Sequence, residues 1–288
     1  MISSLALTVL VENTVNRPGL LAEHGLSILV EVPELPLRLL WDTGQGQVLL
    51  HNARQLGISL DDLDAIALSH GHYDHTGGLL SLLSHHPPQR LYLHPDALKP
   101  KYSPRGNIGS PLNEAQLQEW GCSILWTSTP TPLAPGIHLT GPIPRQHPLE
   151  DAGGQFWQDS TQETPDSLWD DQALFLETQQ GIVVILGCAH AGVINTLNYI
   201  AQLTGQQTVY GVIGGMHLLN ASPERIQATL EALAQYQVQI VGANHCTGIH
   251  AIAALQYQGR GIYYPCSVGT HLLLPNLDKL RLFSSCQG

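Results

Sequence analysis

The stretch Leu68-Ser69-His70-Gly71-His72-Tyr73-Asp74-His75-Thr76-Gly77-Gly78 constrains this chain more than any other, because three imidazoles and a carboxylate fall within six residues. The apolar run Ile66-Ala67-Leu68 reads as a buried strand leading into it, and a helical pattern follows. Alternate positions at a strand end point the same way, so His70 and His72 are placed to grip one cation together. Asp74 and His75 lie past the turn and face a second cation, since two-metal hydrolytic sites hold their ions roughly 3.5–4 Å apart. Gly71 is expected to let the backbone bend between ligands, and Gly77-Gly78 to let the next helix start close against the site. A solvated His-rich turn explains the pattern poorly, because surface turns seldom place such a set directly behind a buried strand.

A buried strand, a histidine at or just beyond its end and then a helix recur at His190, His217 and His245. Strand ends on one rim can converge on one site. His190, in Gly187-Cys188-Ala189-His190-Ala191-Gly192, is the expected third ligand of the first cation. Its neighbour Cys188 is a minor candidate, because a thiolate also ligates zinc well. His245 is expected to complete a second set with Asp74 and His75. His217 is open between ligand, substrate contact and packed histidine, and joins Asp74 as a catalytic candidate.

Among the 288 residues, 43% are hydrophobic and 12% charged, which supports a large core. The formal net charge of −11, with only 12 Lys and Arg, denies the chain the diffuse positive field that draws proteins onto nucleic acid or anionic membranes. A small-molecule substrate is expected instead. The opening Met1-Ile2-Ser3-Ser4-Leu5 lacks the basic stretch of a secretory leader, and the best apolar run, 181–189, is too short to span a bilayer. Five cysteines without a C-x-x-C pair argue against a disulfide framework, so a cytoplasmic protein is expected.

Periodicity predicts strands over 5–11, 26–32, 37–41, 65–68 and 90–94, with helices over 48–56 and 78–85, the latter stopped by Pro87-Pro88. From 95 to 170 the pattern weakens and Pro and Gly are frequent, which reads as an insertion or lid over the site. Short strands over 124–127 and 137–139 and a helix over 113–120, capped near Asn113, are expected within it. Strands over 173–177, 182–186, 209–213 and 238–241 follow, with helices over 193–203 and 223–236. Strands alternating with helices on both sides of the middle segment indicate an α/β sandwich, one domain over residues 1–288.

The pattern His70-x-His72-x-Asp74-His75 resembles the signature of the metallo-β-lactamase superfamily. That resemblance implies a four-layer αββα sandwich carrying one or two divalent metal ions on its open edge. It also implies that Asp42, in Trp41-Asp42-Thr43-Gly44-Gln45, accepts a hydrogen bond from a ligating imidazole and fixes its tautomer. Flavodiiron relatives carry Glu where this chain has His72, which favours zinc, with manganese or iron as alternatives. Further motifs occur in order: Ala22-Glu23-His24-Gly25-Leu26-Ser27, Gly141-Pro142-Ile143-Pro144-Arg145, Asp170-Asp171-Gln172-Ala173-Leu174, Gly214-Gly215-Met216-His217-Leu218 and His245-Cys246-Thr247-Gly248. Together they are similar to the branch of 7,8-dihydropterin-6-yl-methyl-4-(β-D-ribofuranosyl)aminobenzene 5′-phosphate synthase-like proteins.

The implied activity is that of a metal-dependent hydrolase or transferase acting on a small, anionic, phosphorylated or pyrophosphorylated metabolite, a pterin among the candidates. A metal-activated water or an equivalent nucleophile would attack, the pKa of water falling from about 15.7 to about 7 on zinc. Arg145 is expected to clamp a phosphate from the lid, with His24 lining the mouth. The family's later bridging Asp is replaced by Cys188 or absent, which would weaken the second metal site or leave a mononuclear one. The alternatives are a nucleic-acid phosphodiesterase and a non-catalytic metal- or ligand-binding relative.

Overall fold

A computed structural model of the chain describes residues 1–35, 37–85, 90–259 and 262–275. Seven strands form the first sheet, in the order His271–Leu274, Leu5–Val11, Ser27–Val32, Leu37–Trp41, Ala65–Ala67, Arg90–Leu93 and Ser123–Trp126. Six form the second, in the order Ile240–Asn244, Val209–Gly215, Gly181–Ile185, Leu174–Thr178, Ile137–Leu139 and Thr131–Ala134. Trp41, Ile28, Leu39, Leu176, Val183 and Ile213 belong to the apolar layer between the sheets. The outer face of the first sheet packs on helices Leu49–Gln55 and Leu79–His85 through Leu49, Leu79 and Leu82. The outer face of the second packs on Val193–Thr204 and Pro223–Gln235 through Leu197, Ile200 and Leu233. The layers are therefore αββα, and the near-continuous apolar character of the strands follows from burial on both faces.

Strand direction decides where the functional residues meet. Leu37–Trp41 and Ala65–Ala67 run parallel, as do Gly181–Ile185, Val209–Gly215 and Ile240–Asn244. Parallel neighbours deliver their carboxyl ends to one edge, the usual place for a ligand crevice in an α/β sheet. The Trp41 indole N–H donates to the Leu186 carbonyl at 3.1 Å and ties the two sheets together beside that edge.

Several expectations are refined. The 238–241 strand begins later, at Ile240, because Gln237 (φ 57°) and Val238 close the preceding helix through Gln237 N–H to Ala234 O and Val238 N–H to Leu233 O. Helix Ile249–Gln258 and strand His271–Leu274 were not legible in the periodicity. Asn113 does cap its helix, in a capping box with Gln116. Pro36 and Pro87-Pro88 lie outside the described residues. Gly71 is needed less for a bend than for a close approach, since a Cβ there would sit 2.1 Å from the Ala97 carbonyl oxygen.

The 95–170 segment is not uniformly a lid. Ser123–Trp126 extends the first sheet and Thr131–Ala134 with Ile137–Leu139 extends the second. What overhangs the site is the hairpin Tyr102–Ser103 with Gly106–Asn107 and the loop around Phe156. A buried Lys101 anchors that hairpin, donating to Asp170 at 2.8 Å and Asp166 at 3.0 Å. Asp170 also accepts the Gly71 N–H at 2.7 Å, so the hairpin and the metal loop share one carboxylate. Burial opposes charge on both groups, but each partner outweighs it, lowering the Asp170 pKa and raising that of Lys101. The pair thus stabilises the fold above the ordinary carboxylate range and below the ordinary lysine range. Lys101→Met, which strands a buried carboxylate, is expected to cost about 3–5 kcal/mol near neutral pH. In urea titrations the gap between the two proteins should narrow as pH falls through the depressed Asp170 pKa and that carboxyl becomes neutral.

Candidate metal centre

Asp42 closes its strand at φ 58° and is fully buried. Its carboxylate accepts from the Ser69 N–H at 2.7 Å, the Ser69 hydroxyl at 2.7 Å and His75 Nδ1 at 2.7 Å. Ser69 Oγ in turn accepts from His70 Nδ1 at 2.9 Å. The outward nitrogens of both rings are thereby oriented by one carboxylate behind them.

His70, His72 and His190 form the first cluster, with donor atoms within 4.8 Å of one another. His70 Nε2 and His72 Nδ1 stand 2.9 Å apart. His190 Nδ1 donates to the Ala152 carbonyl at 2.8 Å, and its buried Nε2 has no hydrogen-bond partner. An aimed, orphaned imidazole nitrogen among two others fits a bound cation, which would take the lone pair. Burial holds His70 and His190 well below the ordinary histidine pKa and His72 at about 3, so all three are neutral, as ligation requires.

Asp74, His75 and His245 form the second cluster. His75 Nε2 lies 3.2 Å from His245 Nε2, and Asp74 Oδ2 lies 3.4 Å from His245 Nε2 and 3.8 Å from His75 Nε2. His245 is oriented from behind by the Asn13 carbonyl oxygen on its Nδ1, at 2.9 Å. Burial would raise the Asp74 pKa, but His75, His24 and His245 hold it well below the carboxylate range. Burial disfavours charge on His75, yet Asp42 and Asp74 raise its pKa to about 9, so a cation bound there would displace the proton on its Nε2 while Asp42 keeps the one on Nδ1. The residues present therefore fit two divalent cations, one on three neutral imidazoles and one on a carboxylate and two imidazoles.

Four of the turns that aim these groups adopt left-handed backbone conformations without glycine: Asp42, Ala189 (φ 57°), His217 (φ 47°) and His245 (φ 50°). Each conformation carries roughly 1–2 kcal/mol of local strain, and their clustering at one edge marks a constructed site.

The clusters open onto a cavity of about 570 Å³ whose walls include Tyr73, Arg105, Asn107, Phe156, His217 and Asn220. His24 stands at its rim, 3.2 Å from Asp74 Oδ2. His217 lies in the wall with its ring 4.2 Å from that of His190, and its Nε2 is 3.4 Å from the Gly153 carbonyl. Cys188 lies within the centre, its Sγ 3.1 Å from His75 Nε2. Arg145 is elsewhere. Its guanidinium donates to the Leu168 carbonyl at 2.8 Å and lies over Trp169, so the expected phosphate clamp is not at the cavity. Among the described residues, Arg105 is the one Arg or Lys lining it.

Several supporting residues carried no role in the sequence. Asp170-Asp171-Gln172 stitches the rim, Asp170 on Gly71 N–H, Asp171 on Ala191 N–H and Gln172 Nε2 on the Leu68 carbonyl. Three polar residues abutting an apolar strand were the available signal. Phe156 packs 5.3 Å from His72 and 5.4 Å from His190, and an aromatic in a Gly-rich polar loop was its signal. Because Asp42 orients an imidazole of each cluster, Asp42→Asn should lower divalent-metal affinity by about 10- to 100-fold in chelator competition, with little change in fold by circular dichroism.

Residues 25–190 match the Metallo-beta-lactamase superfamily. The chain is 30% identical over 244 residues to the 7,8-dihydropterin-6-methyl-4-(beta-D-ribofuranosyl)-aminobenzene-5′-phosphate synthase of Methanocaldococcus jannaschii, covering 80% of this chain and 83% of that protein. An uncharacterized protein of the same organism, MJ0448, is 29% identical over 258 residues, 88% of this chain and 95% of the relative. The crystal structure of Tm1679, a metal-dependent hydrolase of the beta-lactamase superfamily, superposes with a TM-score of 0.81 at 32% identity, covering 93% of this chain and 98% of that one. The chain belongs to the metallo-β-lactamase superfamily, and within it to the branch that contains the synthase relative.

Proposed function

We propose that the protein is a metal-dependent hydrolase or group-transfer enzyme acting on a small phosphorylated or pyrophosphorylated metabolite. The observation that carries this reading is the pair of ligand clusters on the floor of a cavity of about 570 Å³, sized for a metabolite. The synthase relative, whose name specifies a ribofuranosyl phosphate product, supports a phosphorylated substrate and makes a pterin a candidate. Zinc suits the imidazole-rich donors best, with manganese or iron(II) as alternatives.

His70, His72 and His190 would hold one cation and Asp74, His75 and His245 the other. Cations so placed supply Lewis acidity, making water a competent nucleophile near neutral pH and drawing charge from a phosphoryl oxygen. Asp74, kept ionised by His75, His24 and His245, orients the attacking group. Its hydrogen bond raises the His24 pKa, so the rim carries an imidazole able to give a proton to a leaving oxygen. Burial opposes charge on His217, but Cys246 and the Gly153 carbonyl outweigh it and raise its pKa, making it a second imidazole in the cavity lining able to carry a proton. Arg105 at the mouth meets the substrate's phosphate, and Phe156 and Tyr73 offer apolar surface to the remainder.

A nucleic-acid substrate finds little support, because Arg105 alone supplies a permanent positive charge to the cavity wall among the described residues. The test is metal analysis of the purified protein followed by a panel of phosphomonoesters, phosphodiesters and pyrophosphates. His70→Ala should lower turnover on the order of a thousandfold, since a polarising cation is worth several kcal/mol. Absence of bound divalent metal, or turnover that survives His70→Ala, would refute the proposal. Arg105→Ala should raise KM for phosphorylated substrates by about tenfold and leave kcat nearly unchanged, the pattern of a lost binding contact outside the reacting atoms.

A further inference from the structure

A second compartment lies behind His217. This cavity of about 350 Å³, near the lower end of the range for small-ligand sites, is lined by Gly153, His217, Asn220 and, at the start of helix Pro223–Gln235, Ser222 and Arg225. His217 and Asn220 also line the metal cavity, so the two spaces adjoin along those side chains. Gly153 keeps the partition thin: at φ 77° it carries its loop flat against the imidazole, and a Cβ there would sit 1.8 Å from His217 Cδ2.

Arg225 is the one Arg or Lys among the described residues that line this compartment, and it is 5% exposed. Its Nη1 donates to Asp151 Oδ1 at 2.7 Å and its Nη2 to the Asp151 carbonyl at 3.4 Å, while the buried Nε has no hydrogen-bond partner. A guanidinium presents its N–H donors as a planar fork, so one carboxylate oxygen on Nη1 leaves the Nε prong open. That same Asp151 oxygen accepts the Gly153 N–H at 2.8 Å, and its side chain is 81% exposed, so water screens its hold on the guanidinium. Glu224, the acidic residue of the helix's first turn, is fully exposed, has its carboxylate on the Ser222 side chain and does not line the cavity. A buried guanidinium with an open prong, set in the first turn of a 13-residue helix where the backbone dipole is positive, matches the two-pronged geometry of a phosphate.

Resting on the phosphorylated-substrate reading above, we propose that this compartment is a second phosphate subsite, in which Arg225 binds a non-reacting phosphate of a substrate whose reacting bond lies at the metal centre. The substrate class narrows to metabolites with two anionic groups set apart. One meets the metal centre and Arg105, and the other passes beside His217 to Arg225. Asp151 is the group that the phosphate displaces, since a dianion outcompetes a single exposed carboxylate for the same fork.

Calorimetric titration of inorganic phosphate into the metal-free full chain carrying Arg105→Ala isolates the compartment from the cations and from the cavity mouth. One saturable equivalent is expected. Adding Arg225→Met should weaken binding by about tenfold or more, the loss of a charge-assisted two-pronged contact. Arg225→Lys, which keeps the charge without the fork, should fall between the two. Asp151→Asn keeps an acceptor for the Gly153 N–H and removes the competing charge, so it should tighten binding by about threefold. No saturable binding, binding indifferent to Arg225→Met, or weaker binding in Asp151→Asn would overturn the proposal. With no cation present, each result is independent of whether the two clusters hold metal and turn over a phosphoester, so failure of that reading is told apart from failure of this one. Should Arg225→Met not fold, Arg225→Lys and Asp151→Asn decide the matter.

Discussion

A single buried carboxylate, that of Asp42, holds the site together. It lies where the first sheet ends, in a left-handed conformation, and satisfies Ser69 twice and His75 once. A carboxylate removed from water is tolerated only when it is well hydrogen-bonded, and each of these donors belongs to the metal loop. The loop therefore cannot relax without leaving that carboxylate unpaired. Through Ser69 Oγ to His70 and directly to His75, one side chain aims a ligand into each cluster.

The second sheet is brought to the same place by a different device. Glu150 accepts from Ile194 and Asn195 N–H at the start of helix Val193–Thr204, while Asn195 accepts from Gln146 and His147 N–H. This lacing carries Ala152 O to His190 Nδ1 and Gly153 O to His217 Nε2. The middle of the chain thus acts as a strut that sets two imidazoles, and only its hairpin and the Phe156 loop overhang the cavity.

Charge is unevenly distributed across the centre. Neutral, desolvated imidazoles surround the first position, whereas Asp42 and Asp74 flank the second and favour cationic character there. On a chain of net charge −11, Arg105 at the cavity mouth is a local exception, the one Arg or Lys among the described residues that line the cavity.

The six candidate ligands that meet at the site were legible because their chemistry is local: His70, His72, Asp74 and His75 crowd one strand end, and His190 and His245 follow apolar runs that read as buried strands. The layer order was legible for the same reason, since strand and helix periods alternate along the chain. Arg145 was misplaced and Arg105 passed over because loops carry no period, and which arginine faces a cavity depends on how the loop folds back. Lys101 could not have been read as buried, for a lysine among prolines belongs in water unless two distant carboxylates meet it. Helix Ile249–Gln258 buries only Ala251 and Leu255 fully, too little contrast to print a pattern. The sequence by itself determined the sandwich and which side-chain types are available as candidate ligands, whose signals lie within a few residues of one another. Only the tertiary structure decided which carbonyls, carboxylates and thiol stand behind or beside each imidazole, because those contacts join residues that are tens to hundreds of positions apart.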